Sequence, residues 1–140
     1  MASVIPNEGE VVWLAAVAGK TAASTPWVLK LFSNNVTPAA VDTAASYTVV
    51  SGGGYANINL TAANWATVSN APSSMSLAAQ TFTFTGATSA PGTIYGYYIV
   101  DGNNKVMQAE RLPSPPFSPA NNGDTVTVTP TITLGSVSGD

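Results

Sequence analysis

The sequence predicts a mainly β protein, an antiparallel β-sandwich or partly closed barrel with one short N-terminal helix. Three observations carry that expectation. Short runs of aromatic and β-branched residues recur along the chain, several with strict in–out alternation. Turn residues (Asn-Asn, Gly-Gly-Gly, Asp-Gly-Asn-Asn, Asn-Asn-Gly-Asp) punctuate those runs at sandwich-like intervals. Only one segment, near the N-terminus, has helical spacing of its apolar residues. With 140 residues, the chain reads as a single domain, 1–140, preceded by a short arm, 1–7.

The arm, Met1–Pro6, leads into a helix expected over about residues 8–18. Asn7 and Glu10 have capping-box spacing, and Glu8 and Glu10 lie where the helix dipole favours negative charge. Val11, Leu14, Ala15 and Ala18 form its main apolar stripe, Trp13 lies off that stripe, and Gly19 is a natural terminator. After Pro26 the period changes. Trp27, Leu29 and Leu31 alternate with Val28, Lys30 and Phe32 in a strand that ends at Asn34-Asn35. An Ala-rich loop from Thr37 to Ser46 follows, then a short strand, Tyr47–Val50, a turn at Ser51–Gly54 and a strand, Tyr55–Leu60. Thr61 is placed to cap a single helical turn, Ala62–Trp65, with Trp65 pinning the loop to the core. Ala71–Ala79 reads as loop with a short extended piece.

Gln80–Thr85 points Phe82 and Phe84 inward and Thr81, Thr83 and Thr85 outward. The centrepiece is a hairpin over Thr93–Leu112. A two-residue Gly102-Asn103 turn would pair Ile99 with Val106, Tyr98 with Met107 and Tyr97 with Gln108; a turn centred on Asn103-Asn104 would shift that register. In the first register one face holds Tyr95, Tyr97, Ile99 and Val106, and the other Tyr98, Val100 and Met107. Two apolar faces place this hairpin inside the fold, not at its rim. Gly96 leaves room for a close neighbour or a bulge. Pro113–Pro119 is expected to cross in an extended, polyproline-like form outside any ladder. Asn121–Asp124 turns the chain into Thr125–Leu134, with Val126, Val128, Ile132 and Leu134 inward and Pro130 dividing the run. The last six residues are expected to fray.

Composition narrows the function. Charged residues are 8% of the chain and hydrophobic ones 45%, so Ser, Thr, Asn and Gln must solvate the surface, and contact with a partner is expected. The net charge of −3, with four basic residues in all, gives no basic stripe for nucleic acid. No stretch is long and apolar enough to span a membrane, and MASVIPNEGE lacks the basic start of a secretory signal. With no Cys and no His, disulfides, Cys/His zinc sites and nucleophile–His pairs are excluded.

The chemistry that remains is sparse, and neither catalytic residues, cofactor nor metal site is expected. Gly19-Lys20-Thr21 ends like a phosphate-binding loop, but Leu14 stands where that loop needs glycine and the triplet closes a helix instead of opening one. Asp101 and Glu110 lie roughly 25–30 Å apart by strand rise, too far to flank one glycosidic bond. Asp101 reads as a turn former and Glu110 as a solvated or paired surface group. The oxygen-rich turns at Asp101–Asn104 and Asn121–Asp124 each offer one carboxylate, too few for calcium. The tyrosines and tryptophans suit a sugar-stacking platform in kind, but alternation places most of them in the core. The outward threonine rows read as an ordinary solvent face.

Six segments taken together, in order, resemble the landmarks of small structural proteins of tailed bacteriophages. They are NEGE (Asn7–Glu10), LKLFSNNVTP (Leu29–Pro38), NLTAANW (Asn59–Trp65), YGYYIVD (Tyr95–Asp101), AERL (Ala109–Leu112) and GDTVTVTPTITLGS (Gly123–Ser136). The resemblance implies a non-enzymatic virion component, foremost a capsid decoration (cement) protein that binds the major capsid protein and forms homo-oligomers. A tail, adaptor or fibre component with receptor or glycan binding is the alternative. Exposure alone suggests Val4, Ile5 and Pro6 of the arm, Trp13 and Phe117 as partner contacts.

Overall fold

The computed structural model describes residues 3–66, 69–70, 73–113 and 116–134. All strand pairings among them are antiparallel, and the sheets do not close into a barrel. One helix, α1 (Asn7–Val17), precedes the strands. The principal sheet runs β2 (Ile58–Leu60), β1 (Trp27–Phe32), β6 (Gly96–Val100), β7 (Val106–Arg111). A second sheet joins β3 (Ser69–Asn70), β4 (Ser73–Ser76) and β9 (Thr131–Leu134), and a third pairs β5 (Gln80–Thr83) with β8 (Thr125–Val128).

Burial explains this layering. On one face of the principal sheet Leu29, Leu31, Tyr97, Ile99 and Met107 meet Phe82, Val126 and Val128 of the β5–β8 pair and Phe84 just after β5. On the other face Phe32, Tyr98, Val100, Val106 and Ala109 are covered by Tyr47, Val36 and Ala44 from the loop after β1. A sheet wetted on neither face is apolar on both, which is why β6 is buried at every position. Gly96 is required there: a Cβ would lie 2.4 Å from Phe32 Cζ and 2.3 Å from the Glu110 carbonyl oxygen. The expected sandwich-like β architecture with one short helix is therefore what the chain forms.

The hairpin is present, but its register differs from the expected one. Tyr97 pairs with Glu110, Tyr98 with Ala109 and Ile99 with Gln108, and a bulge follows at Val100–Val106. The cause is Asp101. Its Oδ1 accepts the backbone N–H of Asn103 (2.9 Å) and of Lys105 (2.8 Å), its carbonyl accepts Asn104 N–H, and Asn104 takes φ +60°. The result is a three-residue loop with a left-handed third residue and an adjoining bulge. The bulge exchanges two side chains: Met107 joins the Tyr97/Ile99 face and Val106 the Tyr98/Val100 face. Tyr95 also packs on the latter, beneath the Arg111 guanidinium 5.1 Å away.

Other departures are local. Tyr47–Val50 is not a strand; only Val49 bridges, to Phe32, and a 3₁₀ turn, Ala44–Ser46, occupies the end of the loop before it. The strand expected over Tyr55–Leu60 shortens to β2. Within the proline-rich crossing Phe117 makes one isolated antiparallel bridge, exchanging hydrogen bonds with Ile94 (2.7 and 3.2 Å), and no strand forms there among the described residues. Pro130 divides the last run as expected, and each half serves a different sheet, β8 beside β5 and β9 beside β4. The expectation of frayed ends falls on residues 135–140, outside the described residues.

Candidate functional site

Helix α1 organises the surface worth examining for function. Its N-cap is Pro6, not Asn7, and Asn7 donates its backbone N–H to the Ala40 carbonyl instead (2.8 Å). The expected Asn7/Glu10 capping box is absent because the helix begins one residue earlier, with Asn7 already inside it and a proline at the cap. The Glu8 side chain reaches the sheet: Oε1 accepts the Val106 N–H of β7 at 2.7 Å, and Oε2 lies 3.5 Å from Lys105 Nζ. Gly9 then rests on the β7 backbone, where a Cβ would come within 2.3 Å of the Val106 carbonyl oxygen. Val4 pairs with Ala109 through two 2.8 Å hydrogen bonds. Arm and helix thus cover the outer edge of β7, a place where an uncovered strand would template unwanted pairing. The helix ends as expected, with Gly19 at φ +68° and the N–H groups of Gly19 and Lys20 satisfying the Ala16 and Ala15 carbonyls.

This docking inverts the expected stripe. Gly9, Val12, Trp13 and Ala16 face the protein, because Glu8 and Gly9 must meet β7 and thereby set the rotation of the helix. Val11, Leu14 and Val17 are left 66%, 69% and 84% exposed. The helix is therefore apolar on both faces, a pattern expected of a helix enclosed on all sides.

Turned inward, Trp13 meets two other tryptophans. Trp27, first residue of β1 and opposite Leu60 of β2, lies edge-on to Trp13 with ring centroids 5.2 Å apart, and edge-on to Trp65 at 6.0 Å. Trp65 is placed by the 3₁₀ turn Ala62–Asn64, in which Asn64 Oδ1 accepts the Thr61 N–H (2.7 Å) as the expected cap requires. Around these rings Thr25, Pro26, Leu60, Thr61, Ala62 and Met75 complete an open pocket of about 510 Å³. That volume lies within the range of small-ligand or side-chain pockets, and its walls are mostly apolar. The Trp13 indole N–H is buried without a hydrogen-bond partner among the described residues.

Of the residues expected to touch a partner, the structure brings Trp13 to this pocket but as a half-buried wall. Pro6 is buried, Val4 and Ile5 are half-buried, and Phe117 lies apart, packed beside Ile94 and Phe84. An arm free in solvent, the basis for choosing Val4, Ile5 and Pro6, is not what the chain forms, because the open edge of β7 claims it. Trp27 and Trp65 were not legible as site residues: they are 38 positions apart, and only strand pairing and the capped turn bring them together.

Tyr47, Tyr97 and Tyr98 are core residues, and Tyr55 and Tyr95 pack half-buried against the core. Burial raises the hydroxyl pKa of Tyr47, Tyr55, Tyr97 and Tyr98, to about 12 for Tyr98, and the acidic partners Asp42 and Glu110 raise Tyr47 and Tyr97 further. Glu110 accepts the Tyr97 hydroxyl (2.5 Å), so it is paired as expected. Asp101 and Asp124 are turn formers. Asp124 Oδ2 accepts the N–H groups of Ala120 and Asn121 (both 2.8 Å), which lowers its pKa. Among the described residues no three Asp or Glu side chains gather as a metal site would need, and no helix is long and apolar enough to cross a membrane. Compared with protein-family models, with characterised proteins and with solved structures, the chain matches none of them.

Proposed function

We propose that this chain is a non-enzymatic structural component of a tailed-phage particle, a capsid decoration protein that binds the major capsid protein and stiffens the shell. The observation that carries the reading is the open pocket walled by Trp13, Trp27 and Trp65 on a surface with few charges. Buried aromatic pockets of this kind are where protein interfaces concentrate their binding energy. Its walls suit an apolar side chain of the capsid protein, with the exposed Thr25 at its edge to hydrogen-bond the flanking backbone. The six-segment resemblance to phage structural proteins supports the same assignment, and a repeating lattice multiplies a modest affinity per copy. The major capsid protein is the partner in this reading, the outer capsid surface the location, and assembly occurs in the bacterial cytoplasm.

The test is co-sedimentation with shells of the encoding phage that lack this protein. Wild type should bind at hundreds of copies per particle. Ala62→Arg, which sets a long cation at the exposed lip of the pocket, should lose at least 10-fold in affinity with an unchanged circular dichroism spectrum. Failure of the wild-type protein to bind shells overturns the reading.

The same pocket favours a second reading. A sugar ring stacked on one indole with its hydroxyls against Thr25 would suit a tail, adaptor or fibre protein that recognises a host glycan. A dozen copies or fewer per particle, together with glycan-array binding that Ala62→Arg abolishes, would favour that role.

A further inference from the structure

Val11, Leu14 and Val17 stand in solvent on the outer face of α1, and Val41, 79% exposed, follows Ala40, whose carbonyl holds Asn7 at the start of the helix. Four such side chains present on the order of 400 Å² of apolar surface, the size at which a patch marks an interaction site. The pattern of this face is symmetric about Leu14. Val11 lies three residues before it and Val17 three after, Glu10 lies on the N-terminal side, and Lys20 lies just past the C-terminal end. Glu10 and Lys20 are both exposed, and neither makes an ion pair among the described residues, whereas Glu8 already holds Lys105.

We propose that α1 pairs antiparallel with α1 of a second copy, about a two-fold axis passing beside Leu14. In that arrangement Leu14 meets its own counterpart, Val11 meets the other copy's Val17, and a two-fold makes the contact self-complementary. Glu10 lies about 6 Å to one side of the axis, by helical rise. The second copy's Lys20, which follows the left-handed Gly19 that ends its helix, lies towards the same side, where its long side chain can approach Glu10. A parallel pair would instead set Glu10 against Glu10 and Lys20 against Lys20, so charge selects the antiparallel form. Two copies enclose about 800 Å² in all, below the roughly 1,200 Å² of stable complexes. The pair is therefore weak in dilute solution, with Kd on the order of 0.1 mM, and closes when copies are held at high local concentration. The pocket lies on the other side of the helix and stays free, so the pairing is independent of the capsid assignment. Loss of one property leaves the other measurable.

Because the chain has no cysteine, single cysteines report the register without background. Sedimentation equilibrium should show the mass rising from 14.2 kDa towards twice that value at millimolar concentration. Leu14→Asp should weaken association at least 10-fold. Glu10→Lys and Lys20→Glu should each weaken it about 3-fold, and the double reversal should restore it. Under oxidation Leu14→Cys should cross-link to itself, Val11→Cys alone should not, and Val11→Cys/Val17→Cys should, since a disulfide needs Cα atoms within about 7 Å. These positions are exposed, so an unchanged circular dichroism spectrum confirms the fold of each variant. A mass that stays at 14.2 kDa throughout overturns the proposal. So does self-linking of Val11→Cys as readily as Leu14→Cys, or a double reversal that restores nothing.

Discussion

Replacing Glu8 by alanine tests whether the helix is held to the sheet by one backbone hydrogen bond. In the wild type the Glu8 carboxylate accepts the N–H of Val106, a fully buried residue, at 2.7 Å and pairs with Lys105 at 3.5 Å. Glu8→Ala leaves that N–H without an acceptor at a covered strand edge. A lost hydrogen bond to a charged group costs about 1.5–3 kcal/mol. The Lys105 pair adds little: the lysine side chain is 52% exposed and the glutamate 18%, and exposed pairs contribute about 0–1 kcal/mol. We therefore expect about 2 kcal/mol for Glu8→Ala. Glu8→Gln keeps an acceptor and loses only charge, including its favourable place in the first helical turn, for about 0.5–1 kcal/mol. Lys105→Ala should cost less than about 0.5 kcal/mol. At this chain length 1 kcal/mol shifts Tm by roughly 3–5 °C, so thermal unfolding followed by circular dichroism should drop by about 6–10 °C for Glu8→Ala. Equal losses for Glu8→Ala and Lys105→Ala would refute this reasoning, as would Glu8→Gln as damaging as Glu8→Ala. Either result would make charge, not the edge N–H, the cause.

Two further predictions use the same framework. Gly9→Ala should destabilise by roughly 2–3 kcal/mol, measured by urea unfolding, because a Cβ 2.3 Å from the Val106 carbonyl oxygen forces α1 off β7; helix propensity alone predicts the opposite sign, about 1 kcal/mol of stabilisation. Alkaline pH should also unfold the protein. Tyr47, Tyr55, Tyr97 and Tyr98 titrate above the ordinary value of 10.0 when folded, Tyr98 at about 12. The unfolded chain releases those protons first, so stability is full below pH 10 and falls from there through pH 12. Phenolate absorbance should rise together with loss of the near-ultraviolet circular dichroism signal; free titration near pH 10 with the fold intact would contradict the burial argument.

What the sequence made legible follows the range of the interaction involved. Alternation in Gln80–Thr83 and Thr125–Val128 is a local property, and Phe82, Phe84, Val126 and Val128 are buried as read. Gly19 at the end of α1 and Thr61 before its 3₁₀ turn are equally local. The hairpin register was out of reach because it turns on whether the Asp101 carboxylate captures the N–H groups of Asn103 and Lys105, a choice that composition of the turn leaves open. The rotation of α1 departs from its periodicity for a longer-range reason. Its sequence is apolar on both sides, so periodicity could not say which side faces inward, and the decision fell to Glu8 and Gly9 meeting β7, nearly 100 residues away in the chain. The tryptophan pocket depends on that same rotation, since the stripe read from periodicity would have left Trp13 outside it.

Rotation of one helix thus sets two surfaces together. Turning the side that holds Gly9, Val12, Trp13 and Ala16 inward builds a wall of the pocket and turns Val11 and Leu14 outward, since on a helix of 3.6 residues per turn they lie opposite the middle of that side; Val17, one turn after Trp13, is exposed in the last turn of the helix. Leaving three aliphatic side chains in water gains nothing for a lone molecule. Changing Leu14 to Gln should accordingly alter monomer stability by no more than about 0.5 kcal/mol, because the side chain packs against nothing that the fold requires. Folding alone does not account for the apolar outer face; the proposed pairing of α1 with a second copy would. Likewise, the pocket's three edge-to-face indoles leave an opening that a folding core would have filled. A chain that leaves both features unfilled while closing the β7 edge with its own arm and helix is selective about where it can be joined: edge-to-edge strand pairing at β7 is blocked, and side-chain contact at two defined places is offered.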